Sequence, residues 1–318
     1  MVLTITPEEI MATYEQLAQL EEEFDEVEME TIRHQYKLTK PLYAKRAEVV
    51  SKIENFWPLV LEQAPMDIDE FIQPADSAAL LSSIQTLSVS RFEIDSGVEG
   101  GDPRSINIKF DFKENEWFEN KTLEKKFWWR HGKDGWSGYV SEPVEIQWKE
   151  GKDLTNGLLK LSKAVWEEQK ASKEKKKDTE AQKALKAAME ENPGGVSFFC
   201  FFGFTGPNVS AEESKEVVLK RKAGEEDEEM EDENEEDWED EEEDEYEIFP
   251  DGDTVAMAIA DDLFPNALKY FTHAQEDEGM SDLEFESGEE DSDEEEEDEK
   301  AGAKPTKKHK ACAHGCKH

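Results

Sequence analysis

Cysteine is scarce in this chain. Cys200, Cys312 and Cys316 are the only three in 318 residues, too few for a disulfide framework and in keeping with a reducing compartment. No run of 18 apolar residues exists, so the sequence offers no candidate for a membrane-spanning helix. The N-terminus lacks the basic-then-apolar pattern of a signal peptide, and the expectation is an intracellular protein with no membrane partner. Equally missing are a phosphate-cradling glycine loop, a dinucleotide glycine fingerprint, HExxH and a nucleophile elbow. The six histidines are scattered. These absences predict a non-enzyme with no catalytic residue, no cofactor and no metal.

Two segments qualify that expectation. Asp251, Gly252, Asp253, Thr254 and Val255 resemble an aspartyl phosphotransferase loop, but such a loop follows a buried strand, and this one follows an acidic tract and Pro250. A helix start capped at Asp253 or Thr254 is the better reading. His309, Cys312, His314, Cys316 and His318 are capable ligands, yet their spacing matches no structural zinc site, and a flexible tail is expected there.

What the chain has is acid. From Glu225 to Glu247, 19 of 23 residues are Asp or Glu, and from Glu276 to Glu299, 16 of 24 are, with no Lys or Arg in either run. The runs hold 35 of the 80 acids, which leaves 45 acids against 37 bases and reduces the formal charge from −43 to −8 elsewhere. Local charge of one sign implies a partner of the other. Nucleic acid is excluded as a direct ligand of the runs. Strongly basic proteins fit, core histones being the commonest; a calcium buffer fits the composition but has no use for what precedes it.

Apolar anchors punctuate the runs: Trp238 and Tyr246 in the first, Leu283 and Phe285 in the second. The candidate contacts are Glu225, Glu226, Asp227, Asp232, Asp237, Trp238, Asp240, Asp244 and Tyr246, then Asp282, Phe285, Glu289, Asp291 and Asp293. Ser281, Ser287 and Ser292 precede acids and are candidate phosphosites. Extended, the first run carries a charge about every 4 Å, against about 1.7 Å for duplex DNA. It is the weaker polyanion, suited to holding a histone and surrendering it to DNA without ATP. Basic clusters at 173–177, 220–222 and 307–310 are compatible with nuclear import, so a nuclear location, with or without shuttling to the cytoplasm, is expected.

Thr6, Pro7, Glu8 and Glu9 form a helix start. A heptad follows, with Ile10, Leu17, Phe24, Thr31 and Leu38 in one seam position and Thr13, Leu20, Val27, His34 and Pro41 in the other. Continued past Pro41, where a kink or break is expected, the helix is about 70 Å long. The stripe is narrow and its flanks charged, so it needs one partner along one side. A second copy is the economical choice, giving a homodimer with Ile10, Leu17, Leu20, Phe24, Val27, Thr31, His34 and Leu38 at its interface; the alternative is a hairpin with a later helix of the same chain. Residues 84–95, 104–113, 122–130 and 144–149 alternate as strands of an antiparallel meander, while 153–191 and 253–271 are helical in pattern, with Pro265 breaking or restarting the second. The fold class is α+β.

KPLYAKR (40–46), IENFW (53–57), NEWFEN (115–120), IQWKEGKDLT (146–155), SFFCFF (197–202) and DDLFPNALKYF (261–271) together resemble the nucleosome assembly protein family, in particular its SET/template-activating-factor branch. The likeness spans about residues 10–272. It implies a headphone-shaped homodimer: a long backbone helix and connecting helix over 1–75, an earmuff domain over 76–272 whose four-stranded sheet is covered by helices, and a disordered acidic then basic tail over 273–318. It also implies histone binding on an acidic concave underside, and a phosphatase or histone acetyltransferase as a further partner, with inhibition or support of such an enzyme as the alternative function. The acidic insertion at 223–247 departs from the family pattern.

Overall fold

The computed structural model describes residues 7–97, 101–171, 179–191, 196–223 and 246–276. Met1–Glu276 form one compact unit; the second, Asp277–His318, lies outside the described residues. Helix α1 opens at Pro7 and runs to Val50, 44 residues or about 66 Å. It continues through Pro41 without a break. Proline removes one intrahelical hydrogen bond, and the packing of Tyr43, Arg46 and Val50 on the domain holds the next turns in line.

Asn55, in the left-handed region at φ 55°, turns the chain into α2 (Phe56–Glu62), which buries Phe56, Trp57, Val60 and Leu61. Helix α3 (Met66–Asp69) and helix α4 (Pro74–Ser83) follow. Asp76 in the first turn of α4 accepts the Gln73 N–H at 3.1 Å, and also bonds far along the chain to Ser197 Oγ (2.6 Å) and Phe198 N (2.7 Å). Burial raises its pKa against the pull of those bonds.

Strands β1 (Ile84–Ser90), β2 (Ile106–Phe112), β3 (Thr122–His131) and β4 (Ser137–Ser141) form an antiparallel sheet in the order β1-β2-β3-β4. The meander is as predicted, but two of its strands differ in place. The first ends at Ser90, and Phe92–Asp95 coil into the short helix α5. The fourth is Ser137–Ser141, which lies between the predicted strands 122–130 and 144–149; Gly132 N to Trp136 O (2.8 Å) closes the hairpin before it. Residues 144–149 instead strap the core: Val144 N reaches Phe202 O (2.8 Å), and Trp148 forms one bridge with Phe118.

Helices α6 (Leu158–Ala171) and α7 (Glu180–Glu190) lie within the predicted helical stretch. A 3-10 turn, Phe198–Gly203, buries all six of its residues. Its rings meet Phe110, Phe118, Phe127 and Trp148 at centroid distances of 5.3–6.5 Å, mostly edge-on, the preferred geometry for packed aromatics. Helix α8 (Ala211–Ala223) precedes the acidic insertion, and α9 begins at Gly252, slightly ahead of the predicted capped start, running to Met257. A π turn (Ala258–Leu263) leads to Pro265, after which helix 267–276 restarts as the proline predicts. No helix among the described residues is long and apolar enough to cross a membrane.

Candidate functional site

Helix α1 presents two faces about 130° apart. One carries Ile10, Leu17, Leu20, Phe24, Val27 and Leu38, all 41–68% exposed, with Thr31 and His34 also exposed. All eight predicted interface residues therefore lie on one open stripe. Thr31 Oγ bonds back to Val27 O at 2.8 Å, so its hydroxyl is satisfied within the helix. The stripe also continues beyond the predicted seam, through Leu42 and Val49 to Ile53 just past the helix end. The second face, from Asp25 to Val50, rests on the helix's own domain, a contact the sequence did not reveal.

That second contact centres on Arg104. Its guanidinium stacks over Trp129 at 4.7 Å, bonds Asp102 through Nε (3.0 Å) and Nη2 (2.8 Å), and reaches Asp25 of α1 through Nη1 (2.8 Å). Burial works to raise the Asp102 pKa, but the bonds from His131 and Arg104 outweigh it and hold the carboxyl at about 2. His131 Nδ1 lies 2.7 Å from Ser137 Oγ and 3.4 Å from Arg221 of α8, and its backbone N–H donates to Ser214 Oγ.

The outer face of the sheet is open but not free in charge. Asp111 accepts from Thr86 and Thr122 and pairs with Lys109, while Glu124 accepts from Asn107. The inner face hides a lysine. Alternation in β3 puts Lys125 between Leu123 and Phe127, fully buried. Its ammonium donates to the carbonyls of Glu142 (2.8 Å), Phe202 (3.1 Å) and Phe204 (2.6 Å), which satisfies its three hydrogens. Burial pushes its pKa down to about 7, opposed by the charges of Glu247 and Glu142. Glu247, the last acid of the first run, is half-buried nearby; it accepts Thr205 N, Thr205 Oγ, Gly206 N and Phe249 N. Burial raises its pKa against those bonds.

The predicted contacts from Glu225 to Asp244, those from Asp282 to Asp293, and Ser281, Ser287 and Ser292 all lie outside the described residues. Tyr246 is described and packs against the core. A cavity of about 10 Å³ between α6 and α7, lined by Val165, Glu168, Gln169, Thr179 and Gln182, has room for one water molecule. No cluster of His, Cys, Asp or Glu among the described residues could hold a metal ion.

Comparison with known proteins agrees with this architecture. Residues 50–274 match the family model described as Nucleosome assembly protein (NAP). A putative nucleosome assembly protein of Schizosaccharomyces pombe is 30% identical over 293 residues, 89% of this chain and 88% of that one. Protein SET of Drosophila melanogaster is 34% identical over 157 residues, 48% of this chain and 54% of the relative. Among solved structures, that of Ccp1 aligns with a TM-score of 0.52 at 29% identity, covering 84% of this chain and 97% of that one. The Vps75 histone chaperone shares the fold, with a TM-score of 0.50 at 24% identity over 83% and 99% of the two chains. The long helix with its open stripe, the four-stranded meander and the matched sequence make this chain a member of the nucleosome assembly protein family.

Proposed function

We propose that the protein is a histone chaperone that acts as a dimer, binds core histones through its acidic runs, and releases them to DNA without ATP. The observation that carries this reading is where the acid lies. Carboxylates on the open sheet face, Asp111 and Glu124, are already committed to neighbours, whereas 35 acids stand in two runs containing no base. Membership of the family, and relatives whose names include nucleosome assembly protein and histone chaperone, support it.

The dimer reading rests on the stripe. An apolar strip from Ile10 to Ile53 on one face of a soluble chain calls for an apolar partner. Its midpoint falls between Thr31 and Ile32, so an antiparallel pair of identical helices would cover it end to end. Charge favours the same arrangement. From Glu8 to Glu30 the helix has ten acids and no Lys or Arg, while from Arg33 to Val50 it has five bases and Glu48 as its one acid. Antiparallel pairing sets acid against base; parallel pairing sets acid against acid.

The test is titration of core histones with the full chain and with a chain lacking 225–245 and 277–318, which leaves Tyr246 and Glu247 in their places in the fold, at rising salt. Both forms should bind near physiological salt, with the truncated chain weaker and losing affinity less steeply as counterions screen fewer charges. Absence of binding by the full chain overturns the proposal.

A further inference from the structure

Two kinds of contact meet along α1 at Pro41. From Tyr43 onward the helix belongs to the core: Tyr43 packs on Phe264 at 4.9 Å, Arg46 lies 4.4 Å over the same ring and donates to Pro265 O, and Val50 is buried. Before Pro41, no described residue of α1 joins the core. Polar contacts hold that part to the stretch after β1. Tyr36 Oη donates to Asp95 (2.7 Å), Lys40 pairs with Asp95, Arg33 donates to Gly101 O (3.1 Å), and Asp25 pairs with Arg104 (2.8 Å).

Pro41 has no N–H, so the Lys37 carbonyl loses its intrahelical donor at the boundary between these two regimes. A helix bends most readily where that ladder is missing a rung. Apolar packing anchors the turns on one side of the gap; hydrogen bonds and ion pairs, weakened by salt, steady those on the other.

We propose that Pro41 is a hinge in α1 and that Asp95 and Arg104 form the latch that sets the angle between residues 7–40 and the sheet domain. Movement there is amplified by length. Gln19 stands 22 residues from Pro41, a lever of about 33 Å, so a tilt of about 10° displaces it by about 6 Å. In the proposed dimer this angle fixes the separation of the two folded domains and hence the width of the space between them. The hinge depends on that reading for its consequence but not for its existence.

The experiment is a distance measurement between spin labels within one chain, at Gln19→Cys on α1 and Ser88→Cys on β1, both exposed positions. Cys312→Ser and Cys316→Ser remove competing thiols; Cys200 stays, buried and with its thiol pKa pushed up to about 12. Labelled chain is diluted into excess unlabelled chain, so the reading is the same whether the protein is a dimer or a monomer, and sedimentation of the same sample reports the dimer separately. The unaltered latch gives a narrow distance distribution. Asp95→Asn with Arg104→Gln broadens and shifts it by several ångström, as does high salt, and Pro41→Ala added to that pair narrows it again. Asp95→Asn alone, at a partly exposed carboxylate, repeats the test with a milder change should the Arg104 variant lose its fold. An unchanged distribution in the latch variants overturns the latch, and a distribution still broad after Pro41→Ala overturns the hinge.

Discussion

Replacing Leu17 and Phe24 together by Asp should separate the dimer while leaving each chain folded. In the single chain these side chains are 50% and 68% exposed. Full burial of such a side chain contributes about 1.5–3 kcal/mol, so covering what is exposed contributes about 1–2 kcal/mol each. Symmetry doubles the effect, because both protomers carry both changes, and the total lost is about 4–8 kcal/mol. At 1.4 kcal/mol per factor of ten, the dimer dissociation constant should rise about a thousandfold or more. Sedimentation velocity over a concentration series reads the change, with unaltered far-ultraviolet circular dichroism confirming the fold and Gln19→Asp, off the stripe, as the control. A double variant that sediments as wild type would refute the placement of the interface on this face.

Antiparallel pairing predicts that Thr13→Cys of one protomer and Val49→Cys of the other oxidise to an intermolecular disulfide, whereas Thr13→Cys alone does not; the reverse, seen on a non-reducing gel, would indicate parallel helices. Lys125→Met strands the carbonyls of Glu142, Phe202 and Phe204, and should cost about 3 kcal/mol or more by chemical denaturation. The native lysine titrates near 7 against 10.5 when unfolded, so the folded state binds fewer protons across that window and stability rises with pH there. The variant should lose that rise. Asp102 acts in the same direction in acid: its pKa of about 2 lies below the ordinary 3.8, so it stabilises the fold above pH 3.8 and the benefit disappears as pH falls through 2. Asp102→Asn should therefore be destabilising by about 2 kcal/mol at pH 5 and nearly neutral below pH 2, measured against wild type at each pH.

Much of this fold can be read from residue pattern because its signals are long or strict. Helix α1 has a proline start and a heptad sustained over five turns or more, and β2 alternates without exception from Ile106 to Phe112. The fourth strand is obscured because Ser137, Gly138 and Ser141 carry little strand signal, whereas 144–149 alternates well but serves as a strap against Phe202 and Phe118. The stripe was legible as far as Leu38. Beyond it, Leu42 and Val49 keep the same helical face, but taking Pro41 as an interruption hides them. Lys125 was visible in the alternation of Leu123 and Phe127, yet its partners are carbonyls from Glu142, Phe202 and Phe204, and no side-chain pattern announces a carbonyl cage. The joint between α1 and the loop after β1 was not legible at all. It pairs Asp25 with Arg104 and Lys40 with Asp95, contacts 79 and 55 residues apart whose partners are ordinary surface charges in the sequence.

The central claim, that this protein holds histones and yields them to DNA, is tested most directly by adding it to core histones and plasmid DNA in the absence of nucleotide, at a salt concentration where histones and DNA alone precipitate. Nucleosome-sized protection of the DNA, dependent on both the acidic runs and an intact α1 stripe, is the predicted result. Histones that stay bound to the protein when DNA is present, or precipitate as though it were not there, would contradict the account.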